Sequence, residues 1–340
     1  MFKILLAINI FSVLFSYLRN MYIFIPAVLV MTLFTGILRD TGPDFNSYVT
    51  FFKNMALGTA NHLQQSDIEI SWEILGIVLS KFFDVPTIMG LVFLLSVSIR
   101  MWALKIYFDK NAYRFLGFLI YASADLFSRD VGQIRNGLAA SLFCLVFALY
   151  QTQGRPRWLF LIPSIAHLSY FSVYFSYILT RRINPWLLIL LGIITIVLMP
   201  FIFAVLIGYI SPSANQGVVF KLVAYTTGYK NTDGIALTFP LVLFSLGASM
   251  FLMRRDKKFD IYFIFFLAST VFYISLKDFP VFASRLFSIY TPILMFFIPE
   301  LIKVANLSTN TRSIIYIFSV ATFILIVIYR YIRFFNTYGG

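Results

Sequence analysis

Charged residues are scarce in this sequence. They make up 12% of its 340 residues, whereas hydrophobic side chains make up 60% and the mean hydropathy is +0.86. A soluble domain has about one quarter charged residues, so folding in water would leave much apolar surface exposed. The apolar residues form blocks long enough to cross a bilayer, which takes about 20 residues, and the block 183–210 carries no charge. Because a membrane β-barrel shows short alternating segments instead, the sequence predicts an all-α polytopic integral membrane protein.

Cysteine and histidine are also scarce. The only cysteine is Cys144, and the two histidines are His62 and His167. These numbers exclude a disulfide framework, a cysteine-based metal site and a histidine-rich metal centre, so we expect no metal and no cofactor. The net charge of +13 is compatible with nucleic-acid binding. However, the basic residues lie singly or in short clusters between apolar blocks, as expected of cytoplasmic loops, and we expect no nucleic-acid partner.

Ten apolar blocks are predicted as membrane spans within one transmembrane domain, residues 1–340. Residues 69–83 are apolar but short and carry three charges, which favours a helix lying on the membrane surface. The outward loops 39–84 and 209–236 are long, but neither is long enough to form a separate domain. The predicted spans are 4–18, 21–38, 86–108, 113–128, 131–151, 185–208, 237–253, 260–276, 285–303 and 313–332.

The segment 158–180 has two interpretations. Its length suits one span, but Pro163 and the polar residues around His167 interrupt it. Placing most basic loops in the cytoplasm requires this segment to enter and leave the membrane on the same side. It would then be a re-entrant hairpin that turns near His167, which is tolerated where protein or a water-filled cavity covers it. A plain span would place the basic cluster 254–258 outside.

Three arginines lie at the outer ends of predicted spans, where topology gives no reason for them. Arg39 follows a span, Arg135 lies one helical turn inside another, and Arg285 begins a third. A charge inside the hydrocarbon boundary is costly and indicates a functional site by default. Because a guanidinium grips phosphate with two hydrogen bonds, three arginines can converge on one diphosphate. The alternative is that each extends to lipid headgroups or pairs with a nearby aspartate. Arg100 is expected to extend to the inner membrane surface.

Two polar side chains near the outer face are candidates for a general base. Asp44 follows a Gly-Pro turn and shares a helix face with Tyr48, although aspartate at this position is equally a helix N-cap. His167 is the only histidine near a span, and an imidazole exchanges protons near neutral pH. The alternative for His167 is a core histidine that is satisfied by a local hydrogen bond.

The predicted surface helix carries a possible sugar-binding pattern. Glu69 and Glu73 are four residues apart and flank Trp72. Two carboxylates beside an indole ring are typical of sugar-binding surfaces, because aromatic rings pack on the apolar faces of pyranosides. The alternative is an exposed acidic pair with Trp72 as an anchor at the membrane interface.

Several short motifs follow one another in a defined order. Residues 39–48 read Arg-Asp-x-Gly-x-Asp-x-x-x-Tyr, and 133–139 read Gln-Ile-Arg-Asn-Gly-Leu-Ala. Residues 166–169 read Ala-His-Leu-Ser, and 284–290 read Ser-Arg-Leu-Phe-x-x-Tyr. The ordered set, together with a glutamate before the short apolar helix, resembles the EpsG family of Wzy-type polymerases of O-antigen, capsule and exopolysaccharide. The similarity spans residues 39–290.

The sequence departs from the family pattern at uncharged positions. Phe45 stands where the family usually has tyrosine, Asn136 stands where it has glutamine, and Ile-Ser replaces Pro-Gly at 70–71. These departures bear on substrate detail, since no charged position is lost. The resemblance implies that the polar positions of the family are Arg39, Asp44, Glu69, Arg135, His167 and Arg285. Further substrate contacts are predicted for Tyr48, Trp72, Asn136 and Tyr290.

The resemblance implies an inverting, integral-membrane glycosyltransferase of GT-C-like architecture that polymerises O-antigen repeat units. Its substrates would be undecaprenyl diphosphate-linked oligosaccharides at the periplasmic side of the bacterial inner membrane. Arg39, Arg135 and Arg285 would stabilise the diphosphate leaving group, while Asp44, Glu69 or His167 would deprotonate the acceptor hydroxyl. Expected partners are the lipid-linked oligosaccharide, membrane lipid and a chain-length regulator of Wzz type.

Two other functions remain open. A flippase or another transporter of lipid-linked oligosaccharides would also need intramembrane arginines, and an O-antigen ligase would use the same donor with lipid A-core as acceptor. A transporter should show polar groups towards both faces and often two related halves. The unexplained polar groups of this sequence cluster on one side, which favours the polymerase.

Overall fold

The computed structural model describes residues 45–56, 70–131, 133–180, 183–210 and 233–338. Every regular element in these ranges is helical, as the sequence predicts. Thirteen α-helices are present in them. They are α1 (Phe45–Ala56), α2 (Ile70–Leu79), α3 (Val85–Tyr107), α4 (Asn111–Tyr121), α5 (Ile134–Gln153), α6 (Ile162–Ala166), α7 (Phe171–Thr180), α8 (Pro185–Ile210), α9 (Asp233–Leu252), α10 (Asp260–Ser275), α11 (Pro280–Tyr290), α12 (Leu294–Val304) and α13 (Thr309–Tyr338).

Six helical segments of the described chain are long and apolar enough to cross a membrane, so this is a multi-pass membrane protein. Each agrees with a predicted span to within a few residues. Of the other predicted spans, 113–128 is helical and 237–253 falls on α9, while 4–18 and 21–38 lie outside the described residues. The six segments are Val85–Tyr107, Ile134–Gln153, Pro185–Val205, Lys257–Ser275, Phe282–Val304 and Thr309–Arg330.

The helix boundaries follow from local sequence. At the start of α3 the Asp84 carboxylate accepts a hydrogen bond from the Thr87 N–H at 3.2 Å, and Pro86 occupies the first turn. At the end of α5, Gly154 adopts a φ of 61°, a left-handed conformation that suits glycine and stops the helix. The short helix predicted within 69–83 is present as α2, and its place on the membrane surface stays a prediction.

The segment 158–180 is interrupted where the sequence predicts. Helix α6 ends at Ala166, and the C-cap residue His167 has an extended backbone with φ −156° and ψ 116°. A single turn of 3-10 helix, Leu168–Tyr170, then leads into α7. The re-entrant hairpin itself stays a prediction.

The chain divides into two compact units. The described part of unit 1 comprises 45–56, 70–131, 133–167 and 294–338. In unit 1, α3 packs along α5, and α4 packs against α12. Helix α12 also contacts α3 and α5 through aromatic rings: the Phe296 ring lies 4.8 Å from the Tyr107 ring and 5.4 Å from the Phe147 ring, measured between centroids.

The described part of unit 2 comprises 168–180, 183–210 and 233–293. Its central helix is α10, which contacts α8, α9 and α11. The single transmembrane domain that the sequence suggests stays a prediction.

Candidate functional site

Four charged side chains form a buried network inside unit 1. Arg100, in the middle of α3, is 0% exposed, and its Nη1 lies 3.4 Å from Asp125 Oδ2 and 3.3 Å from Asp130 Oδ2. Arg129 Nη2 lies 3.2 Å from Asp125 Oδ1. All four side chains are buried. Two positive and two negative charges balance, so the network is formally neutral and can be tolerated away from water.

The Arg100 guanidinium also bonds to α5. Its Nε donates to Ser141 Oγ at 2.9 Å, and its Nη2 donates to the Gly137 carbonyl at 3.3 Å. The Tyr121 ring faces the guanidinium, with 4.2 Å between the ring centroid and Cζ. The planar guanidinium group contacts partners on several sides at once, and the ammonium group of lysine cannot reproduce this geometry.

The arginine's acidic partners lie on a π-helix, Ala122–Val131, which continues from α4. A π-helix bonds residue i to residue i+5, so residues five apart stand above one another. Asp125 and Asp130 therefore face the same guanidinium. A second arginine holds this segment, since Arg330 Nη1 on α13 donates to the Ala124 carbonyl at 2.9 Å. Such π-helical turns are frequent at functional sites.

The glycine of the motif 133–139 brings the π-helix against α5. A Cβ atom at Gly137 would lie 2.5 Å from Asp130 Oδ1 and 2.9 Å from Asp130 Cα, so a larger residue would force the two segments apart. Backbone bonds join them as well. The Gln133 N–H donates to the Arg129 carbonyl at 2.6 Å, and the Gly137 N–H donates to the Gln133 carbonyl at 2.9 Å.

Two predicted site residues lie beside this network, in the first turn of α5. Arg135 is partly buried, and Asn136 is buried with its amide donating to Gln133 Oε1 at 3.1 Å. His167, also predicted, is partly buried in unit 1, and its backbone N–H donates to the Pro163 carbonyl at 3.1 Å.

The predicted convergence of three arginines on one diphosphate stays a prediction. Arg135 belongs to unit 1, and Arg285 is a partly buried residue of α11 in unit 2. Arg39 lies outside the described residues, as do the two carboxylates proposed as general bases, Asp44 and Glu69.

Trp72, for which the sequence suggests sugar binding, is enclosed by protein, and that role stays a prediction. It is 2% exposed, and its indole N–H donates to the Ala166 carbonyl at 2.7 Å. The neighbouring Ser71 hydroxyl donates to the Ile165 carbonyl, so two bonds fasten α2 to α6. Glu73 is likewise buried rather than exposed. These side chains support the packing of unit 1.

Two predicted substrate-contacting tyrosines are also buried. Tyr48 lies on α1 in unit 1, and Tyr290 lies in unit 2 with 0% exposure. The Tyr290 hydroxyl forms a hydrogen bond of 2.8 Å with the Ser176 hydroxyl. Its ring packs 5.8 Å from the Phe265 ring and 6.1 Å from the Phe272 ring. For Tyr290 this enclosure favours a packing role over contact with a substrate.

The expectation that Arg100 extends to the inner membrane surface is wrong, because its charge is satisfied inside the protein. One signal in the sequence pointed to this pairing. Asp125 lies within the predicted span 113–128, and an acid in one span with a base in another indicates an intramembrane ion pair. No feature of the sequence predicted the π-helix itself. Within the described ranges, no group of three His, Cys, Asp or Glu side chains is placed to hold a metal ion.

Comparison with known proteins adds the family. The profile of the EpsG family matches residues 21–338. No curated protein and no solved structure matches the chain. The matched region contains α1–α13 and the motifs around Arg135, His167 and Arg285. Members of this family are similar to Wzy-type polysaccharide polymerases. Because the match covers nearly the whole chain, this protein belongs to the EpsG family.

Proposed function

We propose that this protein is an inverting glycosyltransferase of GT-C-like architecture that polymerises the repeat units of a surface polysaccharide such as O-antigen. It transfers a growing glycan from one undecaprenyl diphosphate carrier to a hydroxyl group of another lipid-linked repeat unit. The reaction takes place at the periplasmic face of the bacterial inner membrane. The observation that carries this proposal is the match to the EpsG family over residues 21–338.

The reaction requires two kinds of groups. The acceptor hydroxyl attacks the anomeric carbon, while the bond from that carbon to the diphosphate oxygen breaks and the diphosphate leaves with the electron pair. A base accepts the hydroxyl proton, for which Asp44, Glu69 and His167 are the candidates. Preplaced guanidinium groups stabilise the charge that develops on the leaving diphosphate.

Arg135 is the best supported of the diphosphate-binding candidates. It lies in the first turn of α5, where the positive end of the helix dipole adds to its own charge. The buried network next to it is formally neutral, so it does not contribute net negative charge there. Arg39 and Arg285 complete the proposed set.

A chain-length regulator of Wzz type is the proposed protein partner, because a polymerase alone does not define how many units are joined. Membrane lipid and the two lipid-linked oligosaccharides are the other partners. The chemistry proposed for the described residues needs no metal ion, since guanidinium groups take the place of a divalent cation at the diphosphate.

The test is a gene deletion, complemented with the full chain, followed by gel electrophoresis of the surface polysaccharide. A polymerase deletion should keep lipid A-core that carries a single repeat unit and should lose the ladder of longer products. Loss of all attached repeat units would contradict the proposal and would instead indicate a flippase or a ligase. An unchanged ladder would exclude all three functions.

A further inference from the structure

The buried network around Arg100 has no role in the reaction described above. Its side chains are buried, and they contact the first turns of the helix that carries Arg135. We propose that Arg100 is a positioning residue, which holds the π-helix against the first turns of α5 and thereby fixes where the Arg135 side chain leaves its helix. This inference rests on the proposed function of Arg135.

The first step is that Arg100 joins two segments. Towards the π-helix its guanidinium contacts Asp125 and Asp130, at 3.4 and 3.3 Å. Towards α5 it donates to the Gly137 carbonyl at 3.3 Å and to Ser141 Oγ at 2.9 Å. Ser141 Oγ in turn donates to the Gly137 carbonyl at 2.8 Å. Rotation or sliding of one segment along the other would break several of these contacts together.

The second step is that Arg135 lies between two points that this network holds. Asp130 precedes it by five residues and Gly137 follows it by two. The two points are in direct contact, because the space for a Cβ at Gly137 is filled by Asp130. Backbone hydrogen bonds from Gln133 to Arg129 and from Gly137 to Gln133 close the intervening chain. A shift of the guanidinium is therefore passed on to the backbone of Arg135.

The third step is that stability alone does not explain a network of this kind. Replacing a buried ion pair by apolar side chains of similar volume is often neutral or stabilising. What directed hydrogen bonds add is one defined arrangement, and catalysis requires that arrangement because a displacement of about 1 Å lowers the rate by about 100-fold. Arg330 holds the other side of the π-helix through the Ala124 carbonyl, so the segment is fixed on two sides.

The main variant is Arg100→Lys, which keeps the charge but loses the planar fork. The full-length protein is purified from membranes and assayed with lipid-linked repeat units. We expect normal abundance, a decrease in kcat of about 100-fold and little change in KM, since transition-state contacts are lost and ground-state binding is kept. Unchanged kcat at normal abundance would overturn the proposal.

The matched control is Arg114→Lys. Arg114 also donates to three partners in unit 1, namely the Phe108 carbonyl, Asn111 Oδ1 and the Lys105 carbonyl, but these lie at the turn between α3 and α4. Arg114→Lys should therefore leave kcat unchanged. An equal loss of kcat in both variants would mean that any lost arginine fork impairs the enzyme, and would overturn the specific role of Arg100.

A double-variant cycle separates positioning from general structural support. If Arg100 acts through Arg135, the variant with both Arg100→Lys and Arg135→Lys should be no slower than Arg135→Lys alone. If the two losses multiply instead, Arg100 acts independently of Arg135 and the proposal fails.

A final measurement does not depend on activity. The native cysteine is first removed by Cys144→Ala. A cysteine is then introduced by Arg135→Cys, and its rate of labelling by a thiol reagent is measured with and without Arg100→Lys. A cysteine introduced by Arg155→Cys, beyond the far end of α5, is the control. We expect the rate to change several-fold at position 135 only.

If the deletion leaves the polysaccharide ladder intact, the proposed function fails and this labelling still tests the positioning. An unchanged rate at position 135 would overturn the positioning alone.

Discussion

Units 1 and 2 bury their polar groups in different ways. Among the described residues, every buried charged side chain belongs to unit 1, while the buried polar side chains of unit 2 are hydroxyls. The Ser275 hydroxyl, for example, donates to the Val271 carbonyl one turn earlier in the same helix, at 2.6 Å. In unit 1, buried charges are also bonded between helices, as between Arg100 on α3 and Asp130 on the π-helix.

This difference affects which unit holds its polar side chains in fixed positions. A hydroxyl that bonds within its own helix is satisfied wherever that helix lies, so it does not select one packing arrangement. A buried charge that depends on a partner from another segment is satisfied in only one arrangement. Unit 1 therefore holds its side chains in defined places, and Arg135 and His167 belong to it.

The largest effect is expected for Arg135→Ala. The polysaccharide ladder should be abolished while the protein remains at normal abundance, because a partly buried residue in a first helical turn contributes little to folding. Arg155→Ala is the control, since Arg155 is exposed beyond the other end of α5, where its Nε donates to Gln153 Oε1 at 3.2 Å. A ladder in the Arg135→Ala strain would contradict diphosphate binding by unit 1.

The second prediction compares the stability of buried polar groups in the two units. Asp130→Ala should lower the free energy of unfolding by about 3–5 kcal/mol, because it removes one partner from a buried charge network. Ser269→Ala in unit 2 removes a hydroxyl that donates to the Phe287 carbonyl at 3.0 Å, and should cost about 1 kcal/mol. Denaturant unfolding in detergent measures both. Equal losses would mean that the two units depend on their buried polar groups alike.

The third prediction uses one glycine from each unit. Gly137→Ala should destabilise the protein by about 1–3 kcal/mol, because its methyl group would collide with Asp130 backbone and side-chain atoms. Gly247→Ala in α9 should be neutral or stabilising by up to about 1 kcal/mol, since nothing lies within 4 Å of its Cβ and alanine favours helix. The same unfolding measurement applies. A neutral Gly137→Ala variant would show that the π-helix can move away from α5.

Much of the fold was predictable because hydrophobic blocks and helix ends are local features. The start of α3 at Asp84 and Pro86 and the break at His167 follow from the residues that lie there. Pairings between distant residues were not predictable. Trp72 bonds to a carbonyl 94 residues away, and no local pattern distinguishes an indole that packs inside from one that faces the membrane interface.

The candidate site was predictable in part for the same reason. The position of Arg135 in the first turn of an apolar helix can be read from its own motif. The partner of Arg100 depends on a π-helical turn, and whether a segment bonds i to i+5 or i to i+4 is decided by tertiary contacts such as that of Gly137 with Asp130. The sequence therefore did not predict the network, although it contains both aspartates, Asp125 and Asp130.

The smallest effect is expected for Tyr290→Phe in unit 2. This change removes the hydrogen bond to Ser176 but keeps the ring between Phe265 and Phe272, so it should cost about 1 kcal/mol and leave the ladder intact. Ser176→Ala should cause a similar loss, and the double variant should be no worse than either single variant if the pair acts as one bond. A lost ladder in a stably folded Tyr290→Phe protein, with a normal ladder in Ser176→Ala, would instead show that the phenol contacts the substrate. Unit 2 would then contribute a substrate contact besides the proposed Arg285, and Tyr290 would no longer be a packing residue.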